Sequence, residues 1–244
     1  ITKALFCALQ DKGEIFMSLF STDPFTLLAR VIVLLTAIPV HEAAHAYVAD
    51  RLGDPTARYA GRLTLNPFAH YNLWGTISLL VFGIGWAEPV PINPMNFEDR
   101  KKGMAISAAA GPMSNLMMAL FSMIISKIIY WVHFISNLSY VSLGGKVLSW
   151  RYIIFSYMCQ INISLAIFNM LPFPPFDGSR IYSLFLSDRR YFKIMEYERY
   201  IFMIVFALVF TGLLDTPLAF LNGCVYKLLD ALTFFVDKFF YLVL

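Results

Sequence analysis

The chain has 244 residues, 59% of them hydrophobic and only 14% charged, with a formal net charge of +3. Soluble domains carry roughly 45–50% apolar and about 25% charged residues, so this composition excludes an ordinary soluble protein, and it is too apolar for a disordered one. The positive charge is scattered over short loops, which excludes a nucleic-acid partner, and three cysteines without CxxC spacing (Cys7, Cys159 and Cys224) exclude a disulfide framework or a Cys-rich metal site.

Residues 1–23 mix Lys3, Asp11, Lys12 and Glu14 with Leu5, Phe6, Leu9, Ile15 and Phe16, the pattern of a peripheral amphipathic segment. Neither Ile1 nor Met17 opens a signal peptide with a small-residue cleavage site, so the first apolar run is expected to stay in the membrane. That run, Phe25 to about Val48, is interrupted by Arg30 and, near its far end, by His41, Glu42 and His45. A polar loop from Asp50 to Asn72 precedes a short apolar run, Leu73 to Trp86, which holds Gly75, Gly83 and Gly85. About 20 apolar residues are needed to span, so this run reads as a short re-entrant or β-hairpin element. Pro89, Pro91 and Pro94 then forbid a helix, and the alternation from Trp86 to Ile92 suits an extended edge segment.

Met104 to about Ile135 predicts a long helix whose Ala108-Ala109-Ala110-Gly111 stretch lets a neighbouring helix approach closely. Arg151 to Leu171 is the next span, ended by Pro172, Pro174 and Pro175, and Tyr200 to about Phe220 is another. Val225 to Leu244 places Lys227, Asp230, Asp237 and Lys238 on one helical stripe, so it either lies along the interface or spans with that stripe against protein. The expected fold is an all-α polytopic membrane protein, a helical bundle. If Leu73 to Trp86 does not cross, Arg51, Arg58, Arg62, Arg100, Lys101 and Lys102 share a side with Arg180, Arg189, Arg190, Lys193 and Arg199, against Lys146 and Arg151 opposite; that richer side is expected to be cytoplasmic.

His41-Glu42-Ala43-Ala44-His45 is an HExxH motif. Histidines at i and i+4 project from one helix face and can share one metal ion, with the glutamate beside it as general base for a water. Ionisable groups inside an apolar segment are costly, about 2.5–3.5 kcal/mol each on insertion scales, and a bound cation would offset that. Catalytic zinc takes three protein ligands, so a third is required. His70, His133, Asp177 and Asp215 are the candidates. Asp177 is favoured because Pro172-Phe173-Pro174-Pro175 unwinds the preceding helix, Gly178 allows a sharp turn, and the inferred topology puts it on the HExxH side; capping the next helix is its alternative role.

With these motifs the chain resembles the site-2 protease family of intramembrane zinc metalloproteases, in its compact bacterial form without a PDZ or CBS domain. The resemblance covers about Phe25 to Arg180. It rests on the HExxH, on Gly61-Arg62-Leu63-Thr64-Leu65-Asn66-Pro67, on the stretch Gly85 to Phe97, on Gly111-Pro112 with Asn115, and on Asn169-Met170-Leu171-Pro172 leading to Asp177-Gly178. It implies one Zn2+ per chain bound by His41, His45 and Asp177, with Glu42 activating water. It puts Asn169 near the zinc, holding substrate backbone or the oxyanion, where a helix-packing hydrogen bond is the alternative. Gly111, Pro112 and Asn115 would pack beside the active site, although plain close packing explains them equally well. Gly85, Trp86, Glu88 and Val90 would line the substrate path, the extended segment receiving an unwound strand by edge addition.

The implied protein has a peripheral segment (1–23), an intramembrane metalloprotease core (24–222) and an amphipathic C-terminal helix (223–244). It would sit in the cell membrane as a multi-pass protein with its active site toward the cytoplasm, cut a transmembrane protein substrate, and leave room for a regulatory membrane partner. Two departures stand out: compact members commonly have Leu and Lys where this chain has Phe176 and Glu88, so substrate preference does not carry over. A catalytically silent adaptor that binds transmembrane helices is the competing reading, and intact Glu42 argues against it. A divalent-metal transporter would need several intramembrane acidic or histidine residues along a path rather than one cluster.

Overall fold

The computed structural model describes residues 24–75, 87–136 and 142–243. The peripheral segment 1–23 and all but the first three residues of the Leu73 to Trp86 run, Gly85 and Trp86 included, lie outside the described residues.

Helix α1 (Pro24–Arg51) opens on a proline, whose missing N–H is no loss in a first turn, and carries a second one, Pro39, just before the HExxH. A short α2 (Thr56–Tyr59) follows. Among the described residues there is no strand; the extended segment from Ala87 makes one antiparallel bridge to Tyr71, with Glu88 N–H donating to the His70 carbonyl at 2.9 Å. A β-hairpin is therefore not shown. Helices α3 (Arg100–Ser136) and α4 (Leu143–Asn169) form the spine, α4 being capped by the Ser142 hydroxyl, which accepts from Gly145 N–H at 3.1 Å.

The proline-rich turn after α4 leads into α5 (Asp177–Tyr182), then α6 (Asp188–Glu196) and α7 (Glu198–Phe210). The expected single helix from Tyr200 to Phe220 is broken. Gly212 adopts φ +73°, and Leu213 N–H donates to the Leu208 carbonyl at 3.0 Å, the Schellman arrangement that ends a helix. Helix α8 (Asp215–Leu232) therefore starts eight residues before the expected C-terminal element and is followed by α9 (Phe234–Val243) after a 43° bend. At that bend the Thr233 hydroxyl donates back to the Leu229 carbonyl at 2.9 Å, a bond that competes with helix continuation.

Helix α3 packs against α4, α1 and α5, and α4 packs also against α1 and α8. Ala119 and Met123 of α3, Cys159 and Ile163 of α4 and Leu229 of α8 form one core cluster; Ala46 of α1, Ala57 of α2 and Val90 form another under the extended segment. On α3 the stripe Ser107, Gly111, Asn115, Ala119 is buried, whereas Met113, Met117 and Phe121 on another face are 54%, 56% and 58% exposed. Helices α3 and α4 are long and apolar enough to cross a bilayer, and α8 with α9 makes a third if the bent pair is one span. Such a stripe is suited to hydrocarbon rather than water, as expected of a membrane protein.

The charged C-terminal stripe faces protein in part. Lys127 of α3 pairs with Asp230 at 2.8 Å and with Asp237, while Trp131 Nε1–H donates to Asp237 at 2.9 Å and stacks on Phe240.

Candidate metal centre

Two i, i+4 stripes meet at the site. His41 and His45 lie on one face of α1, and Ser107, Gly111 and Asn115 lie on the facing stripe of α3. The helices approach closely because Gly111 has no side chain: a Cβ there would fall 2.3 Å from His45 Nε2 and 2.6 Å from His41 Cε1. The Gly111 position is thus set against the candidate ligand atoms themselves. Pro112, fully buried, removes one backbone donor from the same turn.

The third candidate ligand arrives from α5. Gly178 allows this, since a Cβ there would fall 2.3 Å from the Met170 carbonyl oxygen and 2.5 Å from that of Leu171, at the end of α4. Asp177 does not cap α5: Phe176 occupies the cap position, and the Asp177 carboxylate turns to the histidines. Its Oδ2 lies 3.2 Å from His41 Nε2 and 3.2 Å from His45 Nε2, and those two nitrogens are 3.0 Å apart. Phe176, the departure before the Asp-Gly pair, is held edge-on against Phe168 of α4 with ring centroids 4.6 Å apart, so the exchange stays within apolar packing.

The hydrogen-bond pattern tests whether this triangle suits a cation. His45 Nδ1 lies 2.7 Å from the Ser107 carbonyl, which can only accept, so Nδ1–H donates to it and the neutral ring presents its lone pair at Nε2. His41 Nδ1 lies 2.6 Å from Asn115 Oδ1, with the same consequence. Asn115 Nδ2 donates in turn to Asn162 Oδ1 at 3.0 Å, and Asn162 Nδ2 donates to the Met158 carbonyl at 2.8 Å. Asp177 Oδ2 is buried, and the two histidine nitrogens are its polar neighbours. With both rings neutral, two nitrogen lone pairs and a carboxylate oxygen converge on one point, the donor set of a divalent-cation site in which the other nitrogen of each ring is held by an acceptor. The residues fit a zinc site, and His41, His45 and Asp177 are the one such cluster among the described residues.

Glu42 is half-buried beside this cluster, and its Oε2 accepts from Val90 N–H at 3.1 Å. Two anchors fix the segment that supplies this bond. Arg62 donates to the carbonyls of Glu88 and Pro89 and lies 3.7 Å from the Glu88 carboxylate, so the negative charge at this departure is partnered. Fully buried Asp54 accepts from Asn93 N–H and Asn96 Nδ2, both at 2.7 Å, and from Thr56. Burial pushes the Asp54 carboxyl upward, but these hydrogen bonds overcome it and hold the group below its usual value.

Other expected residues fall elsewhere. Asn169, the last residue of α4, spends its Nδ2–H on the Leu165 carbonyl of its own helix at 3.0 Å. His70 is bonded to the Thr64 carbonyl at 2.8 Å, His133 lies near the far end of α3, and Asp215 opens α8 beside Gly212; none joins the cluster. The sequence reading missed Ser107, Asn162 and Asp54, and named Arg62 within the Gly61 to Pro67 run and among the positive loop residues without its role as an anchor. Asn162 carried a signal, being an uncharged polar residue in an apolar run seven residues before Asn169 and hence on the same helix face. Ser107 carried none, because its backbone carbonyl does the work.

The family described as Peptidase family M50 matches residues 29–212. YwhC of Bacillus subtilis, named as a candidate zinc metalloprotease, is 36% identical over 198 residues, covering 81% of this chain and 87% of the relative. MJ0611 of Methanocaldococcus jannaschii, similarly named, is 32% identical over 171 residues, 67% of this chain and 75% of the relative; Rip2 of Mycolicibacterium smegmatis is 26% identical over 187 residues, 74% and 66%. No solved structure matches the chain. The matched region holds the whole metal cluster with Glu42, and the chain belongs to peptidase family M50, the site-2 protease family of zinc metalloproteases.

Proposed function

We propose that the protein is an intramembrane endopeptidase that hydrolyses a peptide bond in or near a transmembrane helix of a membrane protein, with one Zn2+ per chain held by His41 Nε2, His45 Nε2 and Asp177 Oδ2. The observation that carries this reading is the convergence of His41 Nε2, His45 Nε2 and Asp177 Oδ2 within 3.2 Å of one another beside Glu42. When bound, zinc supplies a Lewis acid that polarises a carbonyl and makes a water more acidic. Glu42 then takes the water's proton and returns it to the leaving amine; Val90 N–H holds Oε2, which leaves Oε1 for the proton. Asn169 serves substrate backbone or the oxyanion after giving up its bond within α4.

A helix hides its carbonyls in hydrogen bonds, so the substrate unwinds before cleavage, and the extended segment with Glu88 and Val90 receives it, with Gly85 and Trp86 as further substrate-binding residues. Pro89 and Pro91 have no N–H, so at those positions the segment offers carbonyl acceptors only, and the substrate supplies the donors. Residues 24–222 form the protease core, and the positive side, with the active site, faces the cytoplasm in a cell membrane.

Wild-type protein and a Glu42→Gln variant, reconstituted in lipid vesicles with a transmembrane peptide carrying a helix-breaking Asn-Pro pair, test the reading. The expected result is a peptide cut in the wild type by mass spectrometry, and no cut but unchanged zinc in Glu42→Gln. Zinc-loaded wild type that binds the peptide without cutting it would favour the silent adaptor.

A further inference from the structure

Asn162 is fully buried on α4, spends its side-chain hydrogen bonds on Asn115 and the Met158 carbonyl, and is not required by the hydrolysis above. Its bonds nevertheless have a direction fixed at one end. The Met158 carbonyl can only accept, so the Asn162 group facing it at 2.8 Å is the NH2, and Oδ1 is turned toward Asn115. That oxygen can only accept, so Asn115 presents its own NH2 at 3.0 Å and turns Oδ1 to His41. His41 must answer at 2.6 Å with a protonated Nδ1, so the neutral ring presents its lone pair at Nε2, which is aimed at His45 Nε2 and Asp177 Oδ2. His45 needs no such chain, because a backbone carbonyl fixes it directly.

We propose that Asn162 is a positioning residue that sets which nitrogen of His41 carries the proton, through Asn115. Without Asn162, nothing holds the Asn115 amide in its present orientation. It can flip and donate to Nδ1, and the proton then sits on Nε2, where it blocks the metal. The proposal rests on the reading of His41 as a zinc ligand.

The test compares the full-length wild type with Asn162→Leu, Asn115→Leu and the double variant in lipid nanodiscs. Chelator competition measures zinc affinity, and 15N NMR of histidine-labelled, metal-free protein identifies the His41 tautomer. Asn162→Leu should weaken zinc on the order of 10–100-fold and convert His41 from one Nδ1–H tautomer to a mixture. In the Asn115→Leu background the same change should add less than about twofold, because the two act in series. Asn222→Leu, which cuts the Ser164–Asn222 bond between α4 and α8, controls for loss of an interhelical hydrogen bond and should leave zinc and tautomer unchanged. If Asn162→Leu does not fold, Asn162→Ala makes the same cut and replaces it. An unchanged His41 tautomer in the variant, or zinc losses that multiply in the double variant, overturns the proposal. Wild type that keeps the Nδ1–H tautomer but binds no zinc would instead overturn the metal reading, while the relay would stand on its tautomer shift.

Discussion

Gly111 stands closer to the candidate ligands than any side chain could, since even a methyl group would lie 2.3 Å from His45 Nε2. Gly111→Ala should therefore weaken zinc on the order of 10–100-fold while the helices remain formed, a result that zinc titration with circular dichroism would check. Retained affinity would mean that α1 and α3 can part without disturbing the ligands. HExxH was legible in the sequence because a helix fixes i and i+4 geometry locally, and Asp177 was legible through the prolines and glycine that turn the chain around it. Ser107 was not, because its role exists only once α1 and α3 are packed together, and Asn162 showed only as a polar residue in an apolar run, its partners being set by packing.

At the level of elements, the segment from Ala87 to Asn93 is held by side chains rather than by a sheet. Asp54 is its buried anchor, accepting bonds from Asn93 and Asn96. Asp54→Asn would leave buried donors unmatched and cost about 1–3 kcal/mol, read as a lower thermal midpoint at neutral pH. The folded carboxyl lies below its ordinary value of 3.8, so its contribution is fully present above that pH and is lost as pH falls through the lower folded value. The gap between wild type and Asp54→Asn should close under those acidic conditions; a gap constant down to acid unfolding would contradict the assignment. Hydropathy could not show the break after α7, because Gly212 lies in an otherwise apolar run and its positive φ is a backbone property.

For the whole molecule, the exposed apolar stripe on α3 and the Lys127 cluster have opposite surroundings. Phe121, 58% exposed, would tolerate arginine if it faced water; facing lipid, Phe121→Arg should cost about 2.5–3.5 kcal/mol and deplete the protein from the membrane fraction. Lys127 lies 16 residues beyond Gly111, about 24 Å along the helix, and ties α8 and α9 to α3. Lys127→Met should lower stability by about 1 kcal/mol, since both carboxylate partners are partly exposed, without changing zinc content, as thermal unfolding and metal analysis would reveal. The charge stripe of the C-terminal segment was legible, but its choice between bilayer surface and protein depended on a lysine about a hundred residues earlier.

The most direct measurement is zinc per chain in purified detergent-solubilised protein, comparing wild type with Asp177→Ala and with a variant in which both His41 and His45 are alanine. A three-ligand centre requires about one zinc in the wild type and a sharp loss in both variants. Folded wild type without zinc, or Asp177→Ala with full occupancy, would contradict it.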